Sequence, residues 1–348
     1  MNRIVLSLVG ALWLVLGTLL VTAASAADTP LAERARSAFG VLPETAVSAD
    51  NPSTEARVAL GRQLFFDSRL SVNHDISCSS CHQLDAFGVD GEATSPGHKG
   101  QRGDRNSPTV YNAALHATQF WDGRAADVEE QASGPVTNPV EMAMPDAASV
   151  DRVLRSIPGY ASGFAASFPG EAQPVGFANA ALAIAAFERT LLTPAPLDAF
   201  IAGDATALDA AQQRGLELFL TAGCTTCHNG PAIGGAMWQK LGLMHPYETD
   251  DPGRFKVTGQ ESDRGFFKVP GLRNVAKTGP WFHDGSVATL GDAVRKMAWH
   301  QLGRELTDAE VADLVAFLGA LTGSPSAEMM AVPELPPSGP DTPPPDPS

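Results

Sequence analysis

R-G-L-E-L-F-L-T-A-G-C-T-T-C-H, residues 214–228, runs a helical apolar pattern straight into two cysteines and a histidine, and the chain contains this arrangement twice. The earlier copy reads L-G-R-Q-L-F-F at 60–66 and C-S-S-C-H at 78–82. Looking for further self-similarity extends the match. Pro108, Asn112, Phe120, Asp122 and Gly123 recur as Pro270, Asn274, Phe282, Asp284 and Gly285, each pair 162 positions apart. Five pairs in one register do not arise by chance, so the chain reads as two related domains. The linker falls at Thr193-Pro194-Ala195-Pro196, where two prolines interrupt an alanine-rich helix ending near Leu192.

Around the repeat the sequence reads as mainly α, with long loops. Residues 174–192 have the alanine content and period of a buried helix, and 289–302 form another. Thr307-Asp308-Ala309-Glu310 is a capping box opening a helix to Leu321. No stretch alternates for long enough to make more than a small hairpin. Gly and Pro number 33 and 27, an excess that points to much loop held by something besides regular structure.

The 348 residues suffice for a real core without disulfide stapling. Lys plus Arg is 24 against 39 Asp plus Glu, and the formal charge of -15 argues against a nucleic-acid binder. Residues 1–26 carry Arg3, an apolar run from Ile4 to Val21 and Ala24-Ser25-Ala26, which reads as a cleaved secretory signal peptide. The rest divides into an N-terminal domain, 27–193, a C-terminal domain, 194–323, and a proline-rich tail, 324–348, expected to be disordered with Met329 and Met330 as passengers.

C-x-x-C-H is the attachment motif of c-type haem. Two cysteines one turn apart can form thioethers to one porphyrin, and the adjacent histidine faces its iron. A zinc site drawn from both motifs would leave the duplicated surroundings unexplained, and a thioredoxin-like pair needs strands that are missing. Cys78, Cys81 and His82 thus hold one haem, and Cys224, Cys227 and His228 the other. For the second face of each iron, His74, His98, His116, His245, His283 and His300 remain, and Met297 is a candidate at the second haem with His300 as competitor.

Taken together these residues resemble the bacterial dihaem cytochrome c peroxidases. The resemblance is carried by L-F-F-D-S-R-L-S at 64–71, G-H-K-G-Q-R-G-D-R-N-S-P-T-V at 97–110, Q-F-W-D-G-R-A at 119–125, E-E-Q-A-S-G-P-V-T-N-P-V-E-M at 129–142, F-K-V-P-G-L-R-N-V at 267–275 and W-F-H-D-G-S-V-A-T-L at 281–290. It implies two cytochrome c-like haem domains, the N-terminal one peroxidatic and of low potential, the C-terminal one electron-accepting and of high potential. It implies that His98 is a displaceable distal ligand, that Glu141 is the acid-base carboxylate and that Gln131 is an amide in the same pocket. Met297 is then the axial ligand of the second haem, with His300 demoted, and Trp121 stands between the haems. His283, at the equivalent place, is structural. Asn106, with the backbone oxygens of Thr278 and Pro280, matches a calcium site between the domains.

The expected enzyme is a periplasmic peroxidase that reduces hydrogen peroxide using a small soluble donor, a cytochrome c or a cupredoxin, and is a homodimer as relatives commonly are. The acidic surface favours a basic cytochrome. A dihaem oxidase that modifies tryptophans of a partner protein would have a tyrosine where Met297 stands. A pure electron-transfer cytochrome would keep both irons six-coordinate and have no use for Glu141.

Overall fold

The computed structural model describes residues 29–348; the expected signal peptide, 1–26, lies outside them. The first half contains α1 (Leu31–Phe39), α2 (Glu55–Phe66), the single turn α3 (Cys78–Cys81), α4 (Val128–Thr137), α5 (Ala147–Arg155), α6 (Tyr160–Ser167) and α7 (Phe177–Glu188). The second contains α8 (Pro196–Ile201), α9 (Ala210–Thr221), α10 (Phe255–Thr258), α11 (Leu290–Leu302) and α12 (Asp308–Gly319), and α13 (Ala327–Met330) lies in the tail. Strands β1 (Trp238–Lys240) and β2 (Phe266–Lys268) pair antiparallel, Trp238 opposite Lys268. The chain is thus mainly α, as its pattern implies.

Each half is organised by one close helix crossing, and the repeated L-F motif shows why. In α2, Gly61 faces α7 so closely that a Cβ would lie 1.8 Å from the Ala183 carbonyl oxygen. Its counterpart in α9, Gly215, faces α12, where a Cβ would lie 1.9 Å from the Asp313 carbonyl oxygen. Absence of a side chain lets the two backbones touch while Leu64, Phe65, Leu216 and Phe219 fill the flanks. Thr307 caps α12 as expected, its Oγ1 accepting from Glu310 N at 3.3 Å while Glu310 Oε2 accepts from Thr307 N at 2.8 Å. The halves differ in how the helix reaches the cysteines. α9 leads almost directly into Cys224, but α2 stops at Asp67 and an extra loop, 67–77, intervenes before Cys78. Asp67 holds that loop, accepting from Arg69 N and side chain and from the Tyr160 hydroxyl at 2.6 Å.

Both ends of the described chain cross to the opposite half, which corrects two expectations. The boundary of 27–193 does not enclose a self-contained core: α1 packs with the second half, Ala35 and Phe39 joining Leu216, Phe219 and Phe317, with Arg34 paired to Glu217. One apolar stripe, at i and i+4, needs a facing groove, and α9 with α12 supplies it. The tail 324–348 is not a loose appendage either. Met329 and Met330 pack on the first core, Arg62 donates to the Glu328 carbonyl and Gln63 to the Glu334 carbonyl at 3.0 Å. Farther on, Ser156 Oγ donates to Thr342 Oγ1 at 2.9 Å and Asp346 N to the Val72 carbonyl at 2.9 Å. Proline lacks the N–H that a regular helix or ladder needs, so most carbonyls of such a segment are left as acceptors for a neighbouring surface.

The two halves meet around Thr193. Asn112 and Asn274, partners in the repeat and both in the left-handed conformation, each donate from Nδ2 to the fully buried Thr193 Oγ1 at 2.9 Å. Arg105 adds an ion-pair clamp, at 2.6 Å from Asp122 of its own half and 2.6 Å from Asp251 of the other. Among the described residues no helix is long and apolar enough to cross a membrane.

Candidate functional site

Cys78 and Cys81 span the single turn of α3, with His82 at its C-terminal end; Cys224 and Cys227 occupy the equivalent turn before His228. All four cysteines are unbridged and half-buried. His82 Nδ1 donates to the Gly88 carbonyl at 3.2 Å and His228 Nδ1 to the Ile233 carbonyl at 3.4 Å. That fixes each tautomer and leaves Nε2 free for a metal. Burial lowers both imidazole pKa values, His228 to about 4, so both present neutral nitrogen. Two cysteines and a neutral, oriented histidine at one wall fit a covalently attached haem in each half. No three His, Cys, Asp or Glu side chains among the described residues converge on one point, as a shared zinc site would need.

A cavity of about 270 Å³ opens beside the second motif. Its lining brings together Cys224, Cys227, His228 and Met297 with Trp121, Asn106, Thr278 and Pro280. Met297 reaches it from α11, whose N-cap Thr289 accepts from Asp292 N. His300, one turn on, is turned away, its Nδ1 bonded to the His245 carbonyl at 2.9 Å. Trp121 Nε1 donates to the Asn106 carbonyl at 2.9 Å, and the Trp121 carbonyl accepts from Lys268 N, so this ring is held across the interface. His283 is buried against Phe267 with its Nε2 on Thr249 Oγ1 at 3.2 Å, and its carbonyl accepts from Asn106 N. Asn106, which lines the cavity, donates from Nδ2 to the Glu92 and Ala93 carbonyls.

His98 and Glu141 meet elsewhere, away from this cavity. His98 N donates to the Glu141 carbonyl at 2.8 Å, and Gly97 beside it lies so close that a Cβ would sit 1.9 Å from the Val140 carbonyl oxygen. The His98 ring is buried and makes no hydrogen bond to the described protein. Glu141 accepts from Asn138 Nδ2 at 2.9 Å. Burial raises its pKa, against the opposing influences of Arg124 and that hydrogen bond. Gln131 stands half-buried on α4. The thiol of Cys78 feels the charge of Glu141, which puts this group on the first haem's side.

Three buried groups carry no role in the motif reading. Glu188, at the end of α7, has its pKa lifted to about 8, by burial first and then by Glu129, with Arg189 opposing. Lys268 and His116 face each other at 2.9 Å on the cavity wall. The signal for Lys268 was its place in F-K-V-P, two residues before the repeated Pro270.

Comparison with known proteins agrees with this geometry. Residues 55–206 match the family described as Di-haem cytochrome c peroxidase, and 212–322 match Cytochrome c. The cytochrome c551 peroxidase of Nitrosomonas europaea is 47% identical over 300 residues, covering 85% of this chain and 88% of that protein. That of Pseudomonas aeruginosa is 45% identical over 322 residues, covering 88% and 91%. A crystallised MauG-like protein associated with microbial copper homeostasis superposes with a TM-score of 0.75 at 30% identity, covering 88% of this chain and 98% of that one. With two haem-attachment turns, two cytochrome c-like halves and relatives of this closeness, the chain belongs to the di-haem cytochrome c peroxidases, an enzyme carrying two haem c groups.

Proposed function

We propose that the chain is an exported, periplasmic peroxidase that reduces hydrogen peroxide to two waters with two electrons and two protons, the electrons coming from a small soluble cytochrome c or cupredoxin. In this reading His82 and His228 would each hold a haem iron beside their cysteines, with His98 as a second, displaceable holder of the first and Met297 as a second holder of the other. Bound haem supplies the iron that accepts electrons and breaks the O–O bond. Glu141 does the proton work: a carboxyl lifted by burial takes a proton from one peroxide oxygen and returns it to the other. Asn138 orients it, and the Gln131 amide is suited to hold the second oxygen. The tight backbone contact between Gly97, His98 and Glu141 makes movement of the His98 loop and positioning of Glu141 one event.

Trp121, its ring bonded to Asn106 of its own half and its carbonyl to Lys268 N of the other, is the aromatic bridge between the halves. Asn106 Oδ1 with the Thr278 and Pro280 carbonyls suits a hard cation such as calcium, since all three line one cavity and offer oxygen. The acidic chain, formal charge -15, favours a basic donor, and the assembly is read as a homodimer. The tryptophan-modifying alternative has against it that Met297, and no tyrosine, lines the second cavity.

The observation that carries the proposal is the half-buried Glu141 carboxyl, its pKa raised and its backbone bonded to the His98 loop. Glu141→Gln in holoprotein with both haems confirmed by absorbance lowers peroxidase turnover about 10²- to 10⁴-fold, the usual contribution of a general acid-base. Turnover equal to that of the parent removes Glu141 from the mechanism.

A further inference from the structure

Of the repeat-related positions 162 apart that differ in residue type, three pairs carry polar or aromatic side chains on both sides of the repeat at the cavity: Asn106 with Lys268, His116 with Thr278, and Trp121 with His283. All six residues line the one cavity between the halves. Their backbones keep the symmetry that their side chains have lost. Asn106 N donates to the His283 carbonyl at 2.7 Å, and Lys268 N, its counterpart, donates to the Trp121 carbonyl at 2.8 Å. One crossing thus presents the uncharged oxygens of Asn106 and Thr278. The other presents the Lys268 amine and the His116 ring.

Lys268 is only 5% exposed, and its Nζ has one side-chain partner, His116 Nδ1 at 2.9 Å. Its pKa falls to about 8 through burial alone, with no neighbouring carboxylate to raise it. Burial likewise keeps His116 neutral, so the imidazole accepts one ammonium hydrogen and leaves two free. Room for that ring is built in: a Cβ on Gly235 would lie 2.2 Å from it, and one on Gly271 2.6 Å. A buried ammonium without an anion is strongly disfavoured. A haem attached at Cys224 and Cys227, which line this same cavity, would carry two propionate carboxylates.

We infer that the Lys268 ammonium, oriented by His116 from the other half, binds a propionate carboxylate of the second haem, at the place that in the first half belongs to the Asn106–Thr278 oxygen site. A fixed cation there stabilises the reduced haem, which carries one more electron, and so raises its potential. This rests on the two-haem content and not on calcium.

The test is a potentiometric titration of holoprotein, followed by visible absorption, for the parent, Lys268→Met, Lys268→Arg and His116→Gln. Lys268→Met lowers the electron-transfer equilibrium constant of the second haem about tenfold, about 59 mV for one electron. Lys268→Arg keeps it within about twofold, and the first haem does not move. The inference is overturned if Lys268→Met leaves the second haem's equilibrium within about twofold of the parent, or if Lys268→Arg shifts it as far as Met does. Should Lys268→Met lose the second haem, His116→Gln decides: a drop of several-fold supports the site, and no change overturns it. Calcium content, measured on each variant, separates an effect at Asn106 from one at Lys268.

Discussion

Replacing Gly61 by alanine tests the helix crossing on which the first half is built. The new Cβ would stand 1.8 Å from the Ala183 carbonyl oxygen, 2.4 Å from its carbon and 3.0 Å from Ile184 N. Ordinary contact begins near 3.4 Å, so α2 and α7 must part by about 1.6 Å at this point. Neither partner can turn aside, because both obstacles are backbone inside a helix. Overpacking of this kind costs about 1–3 kcal/mol and more when the obstacle is rigid, against a gain of up to about 1 kcal/mol from better helix propensity. The net expectation is a loss of about 2 kcal/mol, or roughly a 5 °C fall in melting temperature. The repeat demands the same of Gly215→Ala, where the Asp313 carbonyl oxygen stands at 1.9 Å. Gly319, at the end of α12 with nothing within 4 Å of a Cβ, is the control, and alanine there is neutral or stabilising. Thermal and urea unfolding of the holoproteins, followed by circular dichroism, reads all three. A Gly61→Ala protein as stable as the parent would refute the reasoning.

Other perturbations probe the rest of the scaffold. Arg105→Ala removes the cation shared by the buried Asp122 and the half-buried Asp251, leaving Asp122 with Arg124 alone, and should cost about 3 kcal/mol, the low end for breaking a buried pair; an unfolding midpoint equal to the parent's would show that the clamp contributes nothing. Glu188 holds its proton to about pH 8 when folded but loses it near 4.5 when unfolded. Its contribution is full below pH 4.5 and is lost as pH rises through 8. The stability of Glu188→Gln relative to the parent therefore grows between pH 4.5 and 8 in urea titrations, and a difference independent of pH contradicts the assignment. Deleting 324–348 removes the partners of Arg62, Gln63, Ser156 and Val72 and should destabilise by about 1–3 kcal/mol. Amide exchange would then quicken in α2 and around Val72; unaltered exchange would mean that the tail lends nothing.

Much of this architecture was legible because duplication writes its own alignment. Asn112 and Asn274, Phe120 and Phe282, and Gly123 and Gly285 recur because each pair takes the same left-handed backbone conformation, and positions of that kind tolerate few residues. The capping box at Thr307 was legible for a local reason, since both of its hydrogen bonds lie within four residues. The exchange of ends was not. L-A-E-R-A-R-S-A-F carries an apolar stripe that suits any groove, and nothing local says that the groove belongs to the other half. The tail misled for a related reason: composition reports what a segment can bury, whereas this one is held by carbonyls offered to Arg62 and Gln63.

The site divides along the same line. Cysteines, proximal histidines and the repeat are short-range patterns and could be read from the letters. The pairing of Lys268 with His116 was not legible, because repeat signal comes from positions that stay alike and at these positions the halves differ. That difference is where function must lie in a duplicated protein. Positions that remain alike, such as the two asparagines on Thr193, are those that either half needs in order to fold and to meet the other. Positions free of that demand can diverge, and at the centre of this molecule they have: asparagine against lysine, threonine against histidine, tryptophan against histidine. Two haems in equivalent surroundings would have equal potentials and no reason to pass an electron one way. Unequal charge and unequal rings, set on one symmetric backbone frame, are what the proposed inequality of the two haems rests on.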